Sequence, residues 1–378
     1  MDTPGYPTGV RPPFLPIFPA SQRGRFRAAP RPPHPTLQPI PPPMSSIHNK
    51  RITPGQKPDW LKVPLPSGPT VASLEKVLRD RKLHTVCEEA KCPNMGECWA
   101  GGTATFMVLG DTCTRGCRFC AVKTHSQGTP VDADEPEKVA EACVAMGLKY
   151  VVLTMVDRDD LPDGGAAHVA ATIRAIKRRN PEMLVEALVG DWLAGERQTM
   201  TTEQMIATVL DGGPDVYAHN VETVLRLTPR VRDHRCSYAR SLDTLRLAKK
   251  LRPDVVTKSS LMLGLGESER EVEQAMDDLR EHGVDVVTFG QYLRPTLLHL
   301  PVREHVTPAR FQALEARAMT KGFLYVAAGP LVRSSYKAAE FYLAGMLRQR
   351  KAIAGASSST TGASTAGSST ITPTPESA

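Results

Sequence analysis

Six stretches of the chain are runs of β-branched and apolar residues with little polar alternation: 103–109, 150–156, 183–189, 216–219, 255–263 and 284–292. Near-continuous apolar runs of this length are expected of strands covered on both faces. Between them, near 136–147, 166–179, 202–210, 238–251 and 268–282, apolar residues recur at helical spacing. Ser268, three residues before Glu271, predicts a reciprocal cap at the start of the last of these helices. Repeated strand-then-helix units predict a parallel sheet with helices on its outer face. Six units suit an α/β fold of the (β/α) barrel kind, partial or complete, in which chemistry gathers at the C-terminal ends of the strands. No sequence repeat accompanies this alternation.

Both ends of the chain break the pattern. Residues 1–58 hold 16 of the 33 prolines and eight Lys or Arg against one acid, Asp2. Such a segment cannot sustain a helix ladder and is basic and acid-poor, as organelle transit peptides are. Of the last 22 residues, 357–378, 13 are Ser or Thr, a flexible low-complexity tail. The expected division is a targeting segment over 1–58, an extension over 59–102, a barrel with its closing segment over 103–348, and a tail over 349–378. The net charge of +7 belongs entirely to the first segment, because the other 320 residues carry 39 basic and 39 acidic side chains. An electroneutral body argues against a nucleic-acid partner. The apolar runs are too short to cross a membrane as helices, and none is expected to.

The eight cysteines carry the chemistry. Six of them lie within 34 residues, in two groups. Cys113-Thr-Arg-Gly-Cys117-Arg-Phe-Cys120 is a C-x3-C-x2-C run just after the first predicted strand, at the active-site end of a barrel. Three thiolates from one short loop suit three irons of a [4Fe–4S] cluster and leave the fourth iron open to a substrate. Structural zinc wants a fourth ligand and a paired C-x2-C grammar. Cys87, Cys92 and Cys98 form a C-x4-C-x5-C run upstream. Taken alone it fits zinc as well as iron; beside the first group it reads as a second cluster short of one ligand.

The C-x3-C-x2-C spacing resembles the signature of the radical S-adenosylmethionine (SAM) enzymes. Within them, the run from Thr85 to Lys123 resembles the lipoyl synthase family. The resemblance rests on Cys92-Pro-Asn-Met-Gly-Glu-Cys-Trp99, Gly102-Thr-Ala-Thr-Phe and Gly110-Asp-Thr-Cys-Thr-Arg-Gly-Cys-Arg-Phe-Cys120. It continues through Val156-Asp-Arg-Asp-Asp-Leu-Pro-Asp-Gly-Gly165, Ala218-His-Asn-Val-Glu-Thr223, Met262-Leu-Gly-Leu-Gly-Glu267 and Gly329-Pro-Leu-Val-Arg-Ser-Ser-Tyr336, covering about residues 57–348. It implies a partial (β/α)6-type barrel and insertion of sulfur at C6 and C8 of a protein-bound octanoyl chain. The implied cofactors are SAM and two [4Fe–4S] clusters, one of them the sulfur donor. On that likeness Cys113, Cys117 and Cys120 hold the SAM cluster. Cys87, Cys92 and Cys98 hold the auxiliary cluster, with Ser335 rather than Ser334 as its fourth ligand. Catalytic groups beyond the clusters are not expected. The implied partners are octanoylated lipoyl carrier domains or the glycine-cleavage H protein, and an electron donor such as a ferredoxin. Lipoylated complexes point the basic segment to the mitochondrion first and a plastid second.

Some positions depart from the family pattern. Met155 and Ala328 stand where Ser is common, and Val189-Gly-Asp-Trp192 replaces a Pro-Asp-Phe; no cluster ligand is lost. Glu186 and Asn220, on or at the end of strands, are candidate polar contacts for SAM and equally candidates for internal structural hydrogen bonds, and His219 and Lys258 share both readings. Asp157-Arg-Asp-Asp160 follows a strand and reads as a solvated loop or an internal ion pair, or equally, from its place at a strand's C-terminal end, as part of a site. Cys143 lies on an apolar helix stripe, as a small buried hydrophobe would. Gly264-x-Gly266-Glu267 lacks the third glycine of a dinucleotide fingerprint.

Overall fold

The computed structural model describes residues 57–62, 69–89, 92, 94–335 and 346. The expected targeting segment up to residue 56, the Ser/Thr tail and Tyr336 of the Arg-Ser-Ser-Tyr motif lie outside the described residues. In chain order the first elements are α1 (Pro69–Asp80), β1 (His84–Thr85), α2 (Val86–Glu89), α3 (Met95–Ala100), β2 (Thr103–Val108), β3 (Thr112–Cys113) and β4 (Lys123–Thr124). Then come α4 (Glu135–Ala145), β5 (Tyr150–Met155), α5 (Ala166–Arg179), β6 (Leu184–Leu188), α6 (Thr202–Asp211), β7 (Val216–Ala218) and α7 (Thr228–Val231). Last are α8 (Tyr238–Leu251), β8 (Val256–Leu263), α9 (Glu269–Glu281), β9 (Val286–Gln291), α10 (Pro308–Thr320) and β10 (Tyr325–Gly329).

Eight strands share one sheet in the order β1-β2-β5-β6-β7-β8-β9-β10. Only the β1–β2 ladder is antiparallel; β2 through β10 run parallel. Strictly sequential parallel order is what successive right-handed β–α–β crossovers produce. Among the described residues no ladder joins β10 back to β1 or β2, so the barrel is partial.

The apolar runs are continuous because both faces are covered. Tyr150, Val152, Leu184, Val216, Val256 and Val286 pack together on the inner face. Val151, Leu153, Val185, Ala187, Val287 and Phe289, at the alternate positions, pack outward with Ile173, Ile206, Leu245 and Met276 of the helices. The expected cap of α9 is present: Ser268 accepts from the Glu271 amide and the Glu271 carboxylate accepts from the Ser268 amide.

Six strands were predicted and all six are found, trimmed at their ends. A seventh parallel strand, β10, adds to the edge, pairing Tyr325–Gly329 with Val286–Gly290. The chain leaving β10 then turns across β9. A Cβ on Gly290 would lie 2.1 Å from the Val332 carbonyl oxygen, so only glycine lets the two backbones approach this closely.

Candidate active site

Both cysteine groups are built on β2. Its inner face carries Thr103 and Thr105, set in register against Tyr150 and Val152 of β5. The chain leaving its C-terminal end turns at Leu109 and Gly110, with φ of 72° and 89°, and enters the Cys113–Cys120 loop.

That loop is held by backbone and charge. The short β3–β4 ladder pairs Cys113 with Thr124. Amide N–H groups of Arg115 and Asp233 point at the Cys113 and Cys117 sulfurs, at 3.4 and 3.3 Å. Thr114 donates to the Asp157 carbonyl at 2.9 Å, and the Gly116 amide donates to the Asp233 carboxylate at 2.8 Å. The Arg115 side chain, 2% exposed, forks onto Asp159 at 2.8 and 3.0 Å and reaches Asp191 at 2.5 Å. Arg235 reaches Asp159 at 3.1 Å and Asp233 at 2.9 Å, and Arg240 reaches Asp191 at 3.3 Å. Asp157-Arg-Asp-Asp160 is therefore an ion-pair bracket that fixes the cysteine loop. Within it, Arg158 pairs with Asp160 at 2.8 Å and bonds the Leu109 carbonyl at 3.1 Å.

The charges are tuned by this packing. Burial opposes ionisation of Asp191, yet Arg115 holds its carboxyl below the usual carboxylate range. Asp233 is likewise held low against its burial by Arg235 and by the Arg235 and Gly116 amides. Burial, with Asp157 nearby, pushes the Cys113 thiol up to about 12. Metal binding favours the thiolate and releases the thiol proton.

The second group lines a different space. Cys87, Cys92 and Cys98 share with Asn94, Met95, Thr103, Thr105, Arg333 and Ser335 the wall of one small pocket. Ser334 is not in that wall. The Cys92 amide donates to the Cys87 carbonyl at 2.9 Å, and the Cys98 amide donates to the Asn94 carbonyl at 2.9 Å. Burial, with Cys92 beside it, pushes the Cys87 thiol up to about 11. The buried Asn94 side-chain amide donates to the Leu331 carbonyl at 2.6 Å, tying the extension to the segment that leaves β10. This clasp spans 237 residues and had no signal in the sequence.

The donor chemistry fits iron–sulfur clusters. Each group offers three thiols, the soft donors that iron–sulfur clusters take. Among the described residues, Ser335 is the hydroxyl-bearing residue that the distant chain segment brings into the wall beside Cys87, Cys92 and Cys98.

The profile of the Radical SAM superfamily matches residues 107–279, and that of the N-terminal domain of lipoyl synthase matches residues 45–92. The lipoyl synthase of Thermus thermophilus is 58% identical over 287 residues, 76% of this chain and 87% of that one. The mitochondrial lipoyl synthase of Culex quinquefasciatus is 55% identical over 302 residues, 79% of this chain and 78% of that one. The chain belongs to the lipoyl synthase family. An apicoplast lipoyl synthase of Toxoplasma gondii is 55% identical over 77% of this chain and 54% of its own length. As a lipoyl synthase, the protein is a radical SAM sulfurtransferase that works with SAM and two [4Fe–4S] clusters.

The remaining sequence candidates fall in distinct places. Glu186 is fully buried inside the barrel, with Lys258 at 2.7 and 3.0 Å and the Tyr150 hydroxyl at 2.7 Å. Both of its oxygens are engaged in this interior ion pair and hydrogen bond. Asn220 is half-buried at the C-terminal end of β7, where its side chain bonds Glu222. His219 is buried, with its ring nitrogens on the Val189 carbonyl at 2.8 Å and the Ser241 hydroxyl at 2.9 Å. Glu267 closes the Gly264-x-Gly266 turn on itself, accepting from the Gly264 and Leu265 amides at 2.5 and 2.9 Å. Asp191 and Trp192, in the departure from Pro-Asp-Phe, bond Arg115 and the Tyr217 hydroxyl. Cys143 is buried in the core of α4. Cys236 lies against Cys117, and Arg232 and Arg115 favour a thiolate in that pair. Its proximity to the cluster loop could not be read from its isolated place in the sequence.

Proposed function

We propose that Cys113, Cys117 and Cys120 hold the SAM-binding cluster, and that Cys87, Cys92, Cys98 and Ser335 hold the auxiliary cluster. The observation that carries this reading is the shared cavity wall of three cysteines and one serine hydroxyl from opposite ends of the fold. When bound, the two clusters supply the electron that cleaves SAM and the sulfur that is inserted into the octanoyl chain. The protein's own residues hold the parts in place. Arg115, Asp159, Asp191 and Arg235 fix the loop that meets SAM. The Asn94–Leu331 bond and the glycine at 290 set the segment that brings Ser335 to the cavity. Arg333, half-buried beside Cys92, brings a guanidinium to the cysteine set, where partial burial pulls its pKa down and Cys92 opposes that. A hydroxylate is a hard ligand for iron, which suits a position that must be vacated as sulfur leaves. We place the SAM contact at Asn220, with Glu186 serving its buried pair with Lys258. This assigns the extension to 59–102 and the barrel with its return segment to 103–348.

The acceptors in this reading are octanoylated lipoyl carrier domains or the glycine-cleavage H protein, with a ferredoxin-type electron donor. The mitochondrial names of several relatives, with the basic, acid-poor segment 1–58, support a mitochondrial site; the apicoplast relative supports the plastid alternative. The test is anaerobic reconstitution with iron and sulfide, then incubation with SAM, reductant and an octanoylated carrier. A lipoyl product by mass spectrometry is expected. Cleaved SAM with an unchanged octanoyl chain from fully loaded protein contradicts the reading.

A further inference from the structure

The two most exposed large apolar side chains among the described residues are adjacent: Leu297 is 85% and Leu298 is 96% exposed. They do not sit on a loose loop. Arg294 donates to the His299 carbonyl at 2.8 Å and to the Leu297 carbonyl, bracing the turn from within. Thr296 binds the His299 ring at 2.8 Å and accepts from the Leu298 amide at 3.3 Å. The Tyr292 hydroxyl donates to the Leu300 carbonyl at 2.9 Å. The base of the turn is fastened to the cluster loop itself: His299 Nε2 meets the Cys120 carbonyl at 3.0 Å, and the Leu300 amide donates to the Arg118 carbonyl at 3.3 Å.

An exposed leucine on a flexible loop means little. A rigid turn that holds two side by side against water is a preorganised contact, because binding there orders nothing further. Its place chooses the occupant. The acyl chain that must reach the Cys113–Cys120 loop is tethered to a protein through one lysine side chain. The body of that protein must therefore stand within one acyl-lysine arm of Cys120, and this turn is bonded to the Cys120 carbonyl. Arg118, whose carbonyl the Leu300 amide bonds, is exposed and gives the loop at the base of this turn a positive charge.

We propose that Leu297 and Leu298 form a docking knuckle for the octanoylated carrier domain, meeting an apolar patch on it edged by acidic side chains. The proposal rests on the lipoyl synthase reading of the same site. It predicts a division between carrier and tether: the knuckle touches the carrier's folded body and not its octanoyl-lysine.

The test is the double variant Leu297→Ser/Leu298→Ser, reconstituted with both clusters and compared with the parent on two acceptors. One is the octanoylated carrier domain; the other is a short octanoyl-lysine peptide. For the carrier, KM and the directly measured Kd should rise about tenfold or more, the loss of roughly 1.4 kcal/mol or more. For the peptide, turnover should stay unchanged, as should iron content and SAM cleavage. A Leu297→Met/Leu298→Met variant should restore carrier binding. Equal losses on carrier and peptide would make the turn a brace for the cluster loop and overturn the proposal. Unchanged carrier binding would overturn it as well, as would a change only in self-association by sedimentation, which would make the occupant a second copy. A parent enzyme that converts neither acceptor would instead refute the underlying reaction.

Discussion

At the scale of single residues, the groups that shape the site have partners far away in sequence. Ser335 meets Cys87, Cys92 and Cys98 in one wall while Ser334 does not. Ser335→Ala should therefore cut lipoyl product in a single-turnover assay by roughly 10–100-fold, the range seen when support of a metal site is removed. Full product from Ser335→Ala together with an inactive Ser334→Ala would move the ligand one residue back. Arg115 is a second case. Its fork onto Asp159 and its contact with Asp191 cannot be copied by a lysine, which lacks the planar fork. Arg115→Lys should lower iron retention at the Cys113 loop, measured by iron analysis in a background with Cys87, Cys92 and Cys98 replaced by alanine. His219 makes a pH prediction. Burial, with Arg232 nearby, depresses its pKa from 6.5 to about 4, so the folded state keeps it neutral. The unfolded state takes up that proton first, so stability is full above pH 6.5 and falls as pH drops toward 4. The loss amounts to about 3 kcal/mol. Urea unfolding across this window should show a steep acid slope in the parent and a shallower one in His219→Gln.

At the scale of elements, strands buried on both faces leave a readable trace, and all six predicted from apolar runs are present. β10 left none because Tyr-Val-Ala-Ala-Gly is short and small; it becomes a strand by pairing with β9 rather than by propensity. α10, capped by Thr307 with Pro308 at its first position, was equally unread although Phe311, Leu314 and Ala318 give it a helical stripe. The cysteine groups were legible because their spacing is local. The Asn94 clasp and the Arg115 bracket were not, because their partners lie from 44 to 237 residues away. Gly290 shows how an element can serve a site at a distance. Gly290→Ala would press a methyl into the Val332 carbonyl and displace the segment carrying Ser335. The expected result is a protein that keeps the cluster of the Cys113 loop and loses the auxiliary one, read by iron content and electron paramagnetic resonance. Retention of both clusters would show that the return segment has room to shift.

At the scale of the whole molecule, one strand serves both halves of the chemistry. The inner face of β2 floors the cavity lined by Cys87, Cys92 and Cys98, and the loop from its end carries Cys113, Cys117 and Cys120, which we propose meet SAM. Among the described residues no ladder closes the sheet beside β10, and Asn94 and Leu331 join the extension to the return segment. The charge of the chain is concentrated outside this body, in residues 1–58. A chain beginning at Lys57 should therefore fold and retain both clusters; loss of iron on that truncation would give the leading segment a structural role.

The central claim is that the two cysteine groups have separate jobs, and one paired measurement addresses it. Anaerobically reconstituted variants are incubated with SAM, reductant and an octanoylated carrier; 5′-deoxyadenosine is followed by chromatography and the carrier by mass spectrometry. Replacing Cys113, Cys117 and Cys120 with alanine should abolish both 5′-deoxyadenosine and lipoyl product. Replacing Cys87, Cys92 and Cys98 should leave SAM cleavage in place and eliminate sulfur insertion. Lipoyl product from the second variant, or SAM cleavage by the first, would contradict the account.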